Sequence, residues 1–183
     1  MRCFLLHACC APCSLAVIDE LRAGYDLTVF FYNPNIFPEE EYLKRKKEIR
    51  KVCEECGVPI VDRDYGREEW QEAVRGLEKE PEGGARCSVC FRLRLEKTAA
   101  YAARRGFEWF GTTLTSGRNK RAEVINFLGH AAGEKYGVRF YEADWKKGGR
   151  QEKSRQMARE RGIYRQNYCG CSSSFGERQK LKR

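Results

Sequence analysis

Short apolar segments alternate along the chain with longer segments of helical periodicity, and this alternation constrains the fold more than any other feature. The strand-like segments, rich in aromatic and β-branched residues, are 3–8, 27–33, 58–62, 107–114 and 138–143. The helix-like segments are 12–23, 39–56, 67–76, 88–105, 119–136 and 150–162. Short connections between such segments favour a mostly parallel sheet with helices on both faces. The sequence therefore predicts an α/β fold.

The length of the chain, 183 residues, suits one domain. We expect a single α/β domain over residues 1–183, in which residues 145–183 form a basic helical extension beside the sheet. No segment approaches the roughly 18 apolar residues that a membrane span requires. The apolar start of the chain is too short for a signal peptide, so we expect a cytoplasmic protein.

The positive charge of the chain is concentrated at one end. Residues 145–183 contain 12 Lys and Arg against 3 Asp and Glu, whereas residues 1–144 contain 23 residues of each sign. A basic segment beside a neutral body is typical of a protein that binds a polyanion, most often a nucleic acid. The alternative interpretation is a solvated basic tail.

Nine of the ten cysteines fall into four groups. Disulfide frameworks belong to oxidising compartments and to chains too small for a core, so metal binding or redox chemistry is the better interpretation here. The group Cys9, Cys10 and Cys13 follows the first strand, and residues 112–116 follow the fourth. Both should lie at the carboxyl edge of the sheet, where folds of this kind bind ligands.

Spacing alone selects four thiolates for one metal site. These are Cys10 and Cys13 after the first strand, and the CxxC pair Cys87 and Cys90 at the start of a helix. A helix N-terminus favours thiolate, and four thiolates suit zinc or an iron–sulfur cluster. On spacing alone, zinc is the preferred metal.

The other cysteines call for different interpretations. Cys53 and Cys56 lie on the apolar stripe of a helix and Cys3 lies within a strand, so we expect these three in the core. Cys169 and Cys171 flank one glycine, which permits the tight turn of a small, easily reduced disulfide ring. A redox-active pair is therefore favoured for these two, over free surface thiols or further metal ligands.

Six motifs, in this order, resemble the QueH family of epoxyqueuosine reductases: LLHACCAPC, FYNPNIFPEEEYLKR, RCSVCFRLRL, TTLTSGRNK, DWKKGG and YRQNYCGCSSS. The resemblance extends from about residue 3 to residue 174. It implies an oxidoreductase that reduces the epoxide of epoxyqueuosine to queuosine at the wobble position of tRNA, the last step of queuosine biosynthesis. It also implies a fold of the adenine nucleotide alpha-hydrolase type, which is Rossmann-like.

The resemblance implies a cofactor and assigns its ligands. A [4Fe–4S] cluster is expected on Cys9, Cys10, Cys87 and Cys90, so that Cys13 becomes a non-ligand, against the choice made from spacing. A redox-active disulfide is expected between Cys169 and Cys171. The competing interpretation is that one of these two caps a second metal ion beside the cluster.

The resemblance also indicates partners. The expected substrate is a tRNA that carries epoxyqueuosine, bound through its anticodon loop, and an external electron donor should supply the electrons. Neither a membrane nor DNA is expected as a partner. Splayed bases of such loops are read by stacking and their phosphates by cations. The candidate RNA contacts are Tyr32, Arg150, Lys153, Tyr164 and Arg165.

Two other functions remain open from the residues alone. A zinc-stabilised RNA-binding module without catalysis would use four closed, structural thiolates. A general thiol–disulfide oxidoreductase would use one CxxC and would leave three thiol groups unexplained.

Overall fold

The computed structural model describes residues 1–63 and 65–180. In this part of the chain one sheet of five parallel strands forms in the order β3-β2-β1-β4-β5. The strands are β1 (Arg2–His7), β2 (Tyr25–Phe31), β3 (Ile60–Asp62), β4 (Trp109–Thr112) and β5 (Arg139–Phe140). The prediction of a parallel α/β sheet is confirmed.

Seven α-helices surround the sheet in the described residues. They are α1 (Ala11–Leu21), α2 (Glu39–Cys56), α3 (Arg67–Ala73), α4 (Ala85–Arg104), α5 (Ala122–Tyr136), α6 (Arg150–Glu160) and α7 (Ser172–Lys180). A single 3-10 turn, Leu114–Ser116, follows β4. The predicted boundaries of α2 agree with the structure, whereas α7 was not predicted.

The alternation of side chains along β1 places helices on both faces of the sheet. Phe4 and Leu6 pack into one apolar cluster with residues of α1, α2 and α6, whereas Leu5 packs into a second cluster with residues of α4 and α5. Successive residues of a strand point to opposite faces, so this central strand is buried on both sides. Helices on both faces were predicted, and this prediction is confirmed.

Two predictions near the cysteines need correction. Helix α4 begins at Ala85 rather than at residue 88, because the Glu80 carboxylate accepts the Ala85 N–H at 3.2 Å and caps the helix. Both Cys87 and Cys90 are therefore helical. Cys3, expected in the core, is only half-buried at the amino end of β1, where its Sγ lies 3.8 Å from Asp26 Oδ2. Cys53 is buried in the core as predicted.

The basic extension begins at a buried anchor. Trp145 is buried, and its indole N–H donates to the carbonyl of Thr112 at 2.9 Å. Helix α6 then lies along α1, where Ser154 Oγ accepts the backbone N–H of Ala16. Residues 181–183 of the extension lie outside the described residues. None of the helices in the described part of the chain combines the length and the apolar composition that a membrane crossing requires.

Candidate functional site

A cavity of about 600 Å³ opens at the carboxyl edge of the sheet, beside the loops that follow β1 and β4. Three cysteines from two distant parts of the chain line it, and so do cationic and amide side chains. The lining thiols are Cys9, Cys13 and Cys169; the cations are Arg118, Lys120, Arg155 and Arg165; the amides are Asn119, Gln151, Gln166 and Asn167. The site therefore lies at the edge where the sequence predicted it.

The first cysteine group is compact. The Sγ atoms of Cys9, Cys10 and Cys13 lie within 4.8 Å of one another, and those of Cys9 and Cys10 are 3.8 Å apart. Cys10 is the extended residue that precedes α1, and Pro12 occupies the first turn of that helix. Because the chain reverses from strand to helix here, three thiols of a five-residue segment face one point.

These thiols share negative charge unequally. The hydrogen bonds between Cys9 and the Cys10 and Cys13 thiols hold the pKa of Cys9 well below its usual range. The pKa of Cys13 is raised by the same hydrogen-bonded sharing and by burial. A lowered thiol pKa favours the thiolate, which is the form in which cysteine binds a metal ion.

The CxxC pair of α4 is divided between two apolar clusters. Cys87 packs in the same apolar cluster as Cys9 and Cys10, and its Sγ accepts the N–H of Gly83 at 3.2 Å. Cys90, one helical turn further on, packs instead against Cys171. The two thiols of this pair thus pack in different clusters, and the sulfurs found within 4.8 Å of one another in the described residues are those of Cys9, Cys10 and Cys13.

The CGC turn is fastened by a buried arginine. Gly170 has a φ of +131°, a conformation that glycine adopts readily and other residues do not. Arg45 donates from Nη1 to the Cys169 carbonyl at 2.9 Å, while its Nε pairs with the Glu41 carboxylate at 2.7 Å. Cys169 and Cys171 are both free thiols here. Cys169 faces the cavity, and Cys171 is buried beside Cys90.

Three buried arginines surround the thiols. Arg45, Arg86 and Arg94 are the largest fully buried side chains, each at most 2% exposed. Among the described residues, Arg86 and Arg94 have no carboxylate within ion-pair distance. Within residues 1–63 and 65–180, the Arg86 Nε and Nη2 and the Arg94 Nε have no hydrogen-bond partner. Buried cations of this kind require a counter-charge.

These observations test whether the site fits a metal group. An anionic metal–thiolate centre would supply the counter-charge that the buried arginines lack, and the thiols from two segments offer sulfur ligands for it. The residues present therefore fit such a centre. Charge, thiol count and enclosure all favour it over a set of free thiols.

The cavity also contains a cation for which the described part of the chain offers no carboxylate partner. Lys120 lies close enough to Cys169 and Cys9 for their negative charge to act on it. Burial alone would lower the pKa of Lys120, but these two sulfurs raise it above its ordinary value. Next to it, Gln166 donates from Nε2 to Cys10 Sγ at 2.8 Å. Two segments 156 residues apart therefore meet at one cysteine.

The candidate RNA contacts are scattered. Arg165 lines the cavity. Tyr32 is buried and its hydroxyl donates to Glu69 at 3.0 Å, so its ring has no exposed face on which a base can stack. The Tyr164 hydroxyl donates to a carboxylate of α2. Arg150 and Lys153 form ion pairs with acidic residues of α1, outside the cavity lining.

Sequence reasoning missed several residues of the site. Arg118, Asn119 and Lys120 directly follow the loop after β4, so their position at the carboxyl edge was open to prediction from the strand alone. The burial of Arg86 and Arg94 carried no such signal, because arginines at these helical positions are usually solvated.

Comparisons with known proteins agree on one family. The family model described as "Epoxyqueuosine reductase QueH" matches residues 4–177. A protein of that name from Histophilus somni is 44% identical over 180 residues, which are 97% of this chain and 74% of the relative. Another from Thermotoga maritima is 41% identical over 179 residues, 96% of this chain and 92% of the relative.

A solved structure supports the fold alone. The crystal structure described as a predicted subunit of tRNA methyltransferase from Methanocaldococcus jannaschii superposes with a TM-score of 0.53 at 16% identity. The match covers 87% of this chain and 74% of the other. The parallel sheet with helices on both faces is thus a known architecture.

Proposed function

Because the chain belongs to the epoxyqueuosine reductase QueH family, we propose that it reduces the epoxide of epoxyqueuosine in tRNA and so forms queuosine at the wobble position. The observation that carries this proposal is the match of the family model to residues 4–177. The open cavity, lined by thiols and cations, supports it, because a reductase of a polyanion needs both.

The proposal assigns a [4Fe–4S] cluster to Cys9, Cys10, Cys87 and Cys90. Once bound, such a cluster supplies electrons one at a time and a Lewis acid for an oxygen atom. The packing of Cys87 in the same apolar cluster as Cys9 and Cys10 supports its place in this ligand set. The Cys13 Sγ lies within 4.8 Å of the Cys9 and Cys10 sulfurs, so its exclusion needs an experiment.

The residues of the extension are proposed to bind and orient the RNA. Arg155 and Arg165 line the cavity and suit phosphates that flank the modified nucleotide. The ring of Tyr168 also lines the cavity and suits a stacked base. Arg150, Lys153 and Tyr164 were the other candidates, but each is paired with a carboxylate of this chain outside the cavity lining, so the proposal gives them no contact with the modified nucleotide.

The CGC turn is proposed to hold a reversible redox pair. Oxidation of the Cys169 and Cys171 thiols to a disulfide releases two electrons and two protons, the number that removal of one epoxide oxygen as water consumes. An external electron donor would then restore the dithiol. The competing role, a ligand to a second metal ion, is tested below together with the redox pair.

The activity is tested with the full chain, reconstituted anaerobically with iron and sulfide and supplied with a chemical reductant. The substrate is tRNA that carries epoxyqueuosine, and the product is measured by mass spectrometry of its nucleosides. We expect queuosine to appear only with the reconstituted protein. A protein that binds RNA and zinc but forms no queuosine would instead be the zinc-stabilised RNA-binding module.

The ligand set is tested by iron content. Replacement of Cys9, Cys10, Cys87 or Cys90 by Ser should remove the visible absorbance and most of the bound iron. Cys13→Ser is the matched variant, because it removes a thiol of the same group. If Cys13→Ser loses its iron and Cys9→Ser does not, the assignment is wrong and the spacing rule is right.

The RNA surface is tested by comparing two pairs of cations from the same helical region. Replacement of Arg155 and Arg165 by Gln should weaken tRNA binding and reduce the salt dependence of log K by about 1.4–1.8, since two phosphate contacts are lost. Replacement of Arg150 and Lys153 by Gln is the matched control outside the cavity. A larger effect from the control pair would place the RNA along the outer face of α6.

A further inference from the structure

The ammonium of Lys120 occupies a defined position in the cavity. The backbone of this residue is held at two points: its N–H donates to the Gly117 carbonyl, and its own carbonyl accepts the Lys146 ammonium at 2.8 Å. The side chain lines the cavity together with Cys9 and Cys169. Lys120 is therefore positioned by the fold beside the proposed metal site and the CGC turn.

The path of the Lys120 side chain depends on a glycine. A Cβ atom at Gly117 would lie 2.8 Å from Lys120 Cδ, so the aliphatic stem passes directly over the glycine backbone. The ammonium lies 6.0 Å from the centre of the Phe91 ring. In the described part of the chain, no carboxylate lies within ion-pair distance of this ammonium. No carboxylate of the described residues therefore competes with a substrate for this cation.

The reaction of the proposed function requires an acid. Removal of the epoxide oxygen breaks two C–O bonds, forms a C=C bond and releases water, and it consumes two electrons and two protons. The two electrons come from the CGC dithiol, which the external electron donor of the proposed function then restores. When the first C–O bond breaks, negative charge develops on the oxygen, and an acid within hydrogen-bond distance stabilises it.

The other polar groups that line the cavity are poorly suited to this role. An arginine does not release its proton in proteins, and a carboxylate such as Glu82 accepts hydrogen bonds. The Tyr168 hydroxyl donates to the carbonyl of Phe37. Amide groups are not acids. Apart from the thiols, which the proposed function reserves for the metal centre and the redox pair, the lysine ammonium is the group of this lining that holds a proton and can lose it.

We propose that Lys120 is a catalytic acid, which protonates the epoxide oxygen as its C–O bond breaks. This inference rests on the proposed function. The ammonium becomes a neutral amine in that step and recovers its proton from water in the open cavity, while solvent supplies the second proton that the oxygen needs to leave as water. Electrons and atoms then balance with the electron donor as the sole other reactant.

The test uses the full reconstituted chain and substrate tRNA. Lys120→Met removes the proton and the charge, whereas Lys120→Arg keeps the charge without a transferable proton. Both should lower kcat about 10²–10⁴-fold, with iron content, visible spectrum, KM and tRNA affinity within about threefold of wild type. Lys135→Met is the control, because this exposed lysine of α5 is paired with Glu96 outside the cavity.

A chemical rescue separates proton transfer from charge. Lys120→Ala leaves room in a cavity of about 600 Å³ for a small amine. Methylammonium, which can donate a proton, should restore turnover in a saturable manner, whereas tetramethylammonium, which has the charge alone, should not.

Each other outcome overturns the inference. Full activity of Lys120→Arg would make the charge sufficient, and loss of iron from Lys120→Met would make Lys120 a counter-ion of the metal site. A change in KM alone would make it a phosphate ligand, and normal activity of Lys120→Met would leave it no role. If the wild-type chain holds iron and binds the tRNA yet forms no queuosine, the proposed function itself fails, and the acid role fails with it.

Discussion

Replacement of Arg45 by Met should destabilise the protein strongly, because this guanidinium connects α2 to the CGC turn. The side chain is 1% exposed, and its Nε pairs at 2.7 Å with the carboxylate of Glu41. The Glu41 side chain is itself only 10% exposed. Its Nη1 and Nη2 donate to the carbonyls of Cys169 and Tyr168 at 2.9 and 3.3 Å. The substitution leaves a buried carboxylate and two carbonyls without their donor.

The expected magnitude follows from these contacts. Removal of one partner of a buried ion pair costs about 3–5 kcal/mol. For a domain of this size, 1 kcal/mol lowers the Tm by about 2–4 °C, so we expect a decrease of about 6–20 °C. Arg45→Lys keeps the charge but cannot reach all three acceptors, so its Tm should lie between those of the wild type and Arg45→Met.

The assay is thermal unfolding of the three proteins in the same metal state, together with the alkylation rate of Cys169. The rate should rise in Arg45→Met, since the turn is no longer held against α2. A Tm of Arg45→Met within 2 °C of wild type, with unchanged alkylation, would refute the argument that this arginine fastens the CGC turn.

Three further predictions concern the redox pair, the packing of α5 and a buried thiol. Thiol counts of the oxidised and reduced protein should differ by two, and this difference should vanish in the Cys169→Ser, Cys171→Ser variant; if that variant loses metal instead, the two thiols are ligands. Gly133→Ala should lower the free energy of unfolding measured in urea by about 1–3 kcal/mol, because the added Cβ would lie 2.6 Å from the Val138 carbonyl oxygen. Gly176→Ala is the control: a Cβ there would have no neighbour within 4 Å, so the variant should be as stable as the wild type or more stable. Burial raises the pKa of Cys53 to about 12, so the thiol loses its proton at a lower pH in the unfolded chain than in the folded one. The free energy of unfolding should therefore fall as the pH rises above about 9, by at most about 1.4 kcal/mol per pH unit. Cys53→Ala should show a shallower decrease.

Local sequence patterns determined the layers of this protein and the edge that holds its site. The apolar strands alternate with amphipathic helices, and this periodicity is legible without tertiary information. The position of Cys9 and Cys10 after β1 placed them at the carboxyl edge, and the structure has Thr113 Oγ1 4.0 Å from Cys9 Sγ there. Such inferences succeed because they depend on neighbours in sequence and on the common direction of parallel strands.

Sequence patterns were less reliable at the ends of helices and strands. The half-burial of Cys3 depends on its position at the end of β1, and the early start of α4 depends on a carboxylate five residues upstream. The spacing of apolar residues predicts neither feature. It indicates which face of a helix or strand is buried, but it does not indicate where the element begins or what covers its ends.

Only the tertiary structure decided which groups meet at the site. Arg45 reaches the CGC turn across 124 residues of chain, and Gln166 reaches Cys10 across 156. The cavity beside them gathers Lys120 from a third segment. These contacts follow from how helices of both faces pack around the sheet, and local composition does not encode that packing, since an exposed and a buried arginine look alike in sequence.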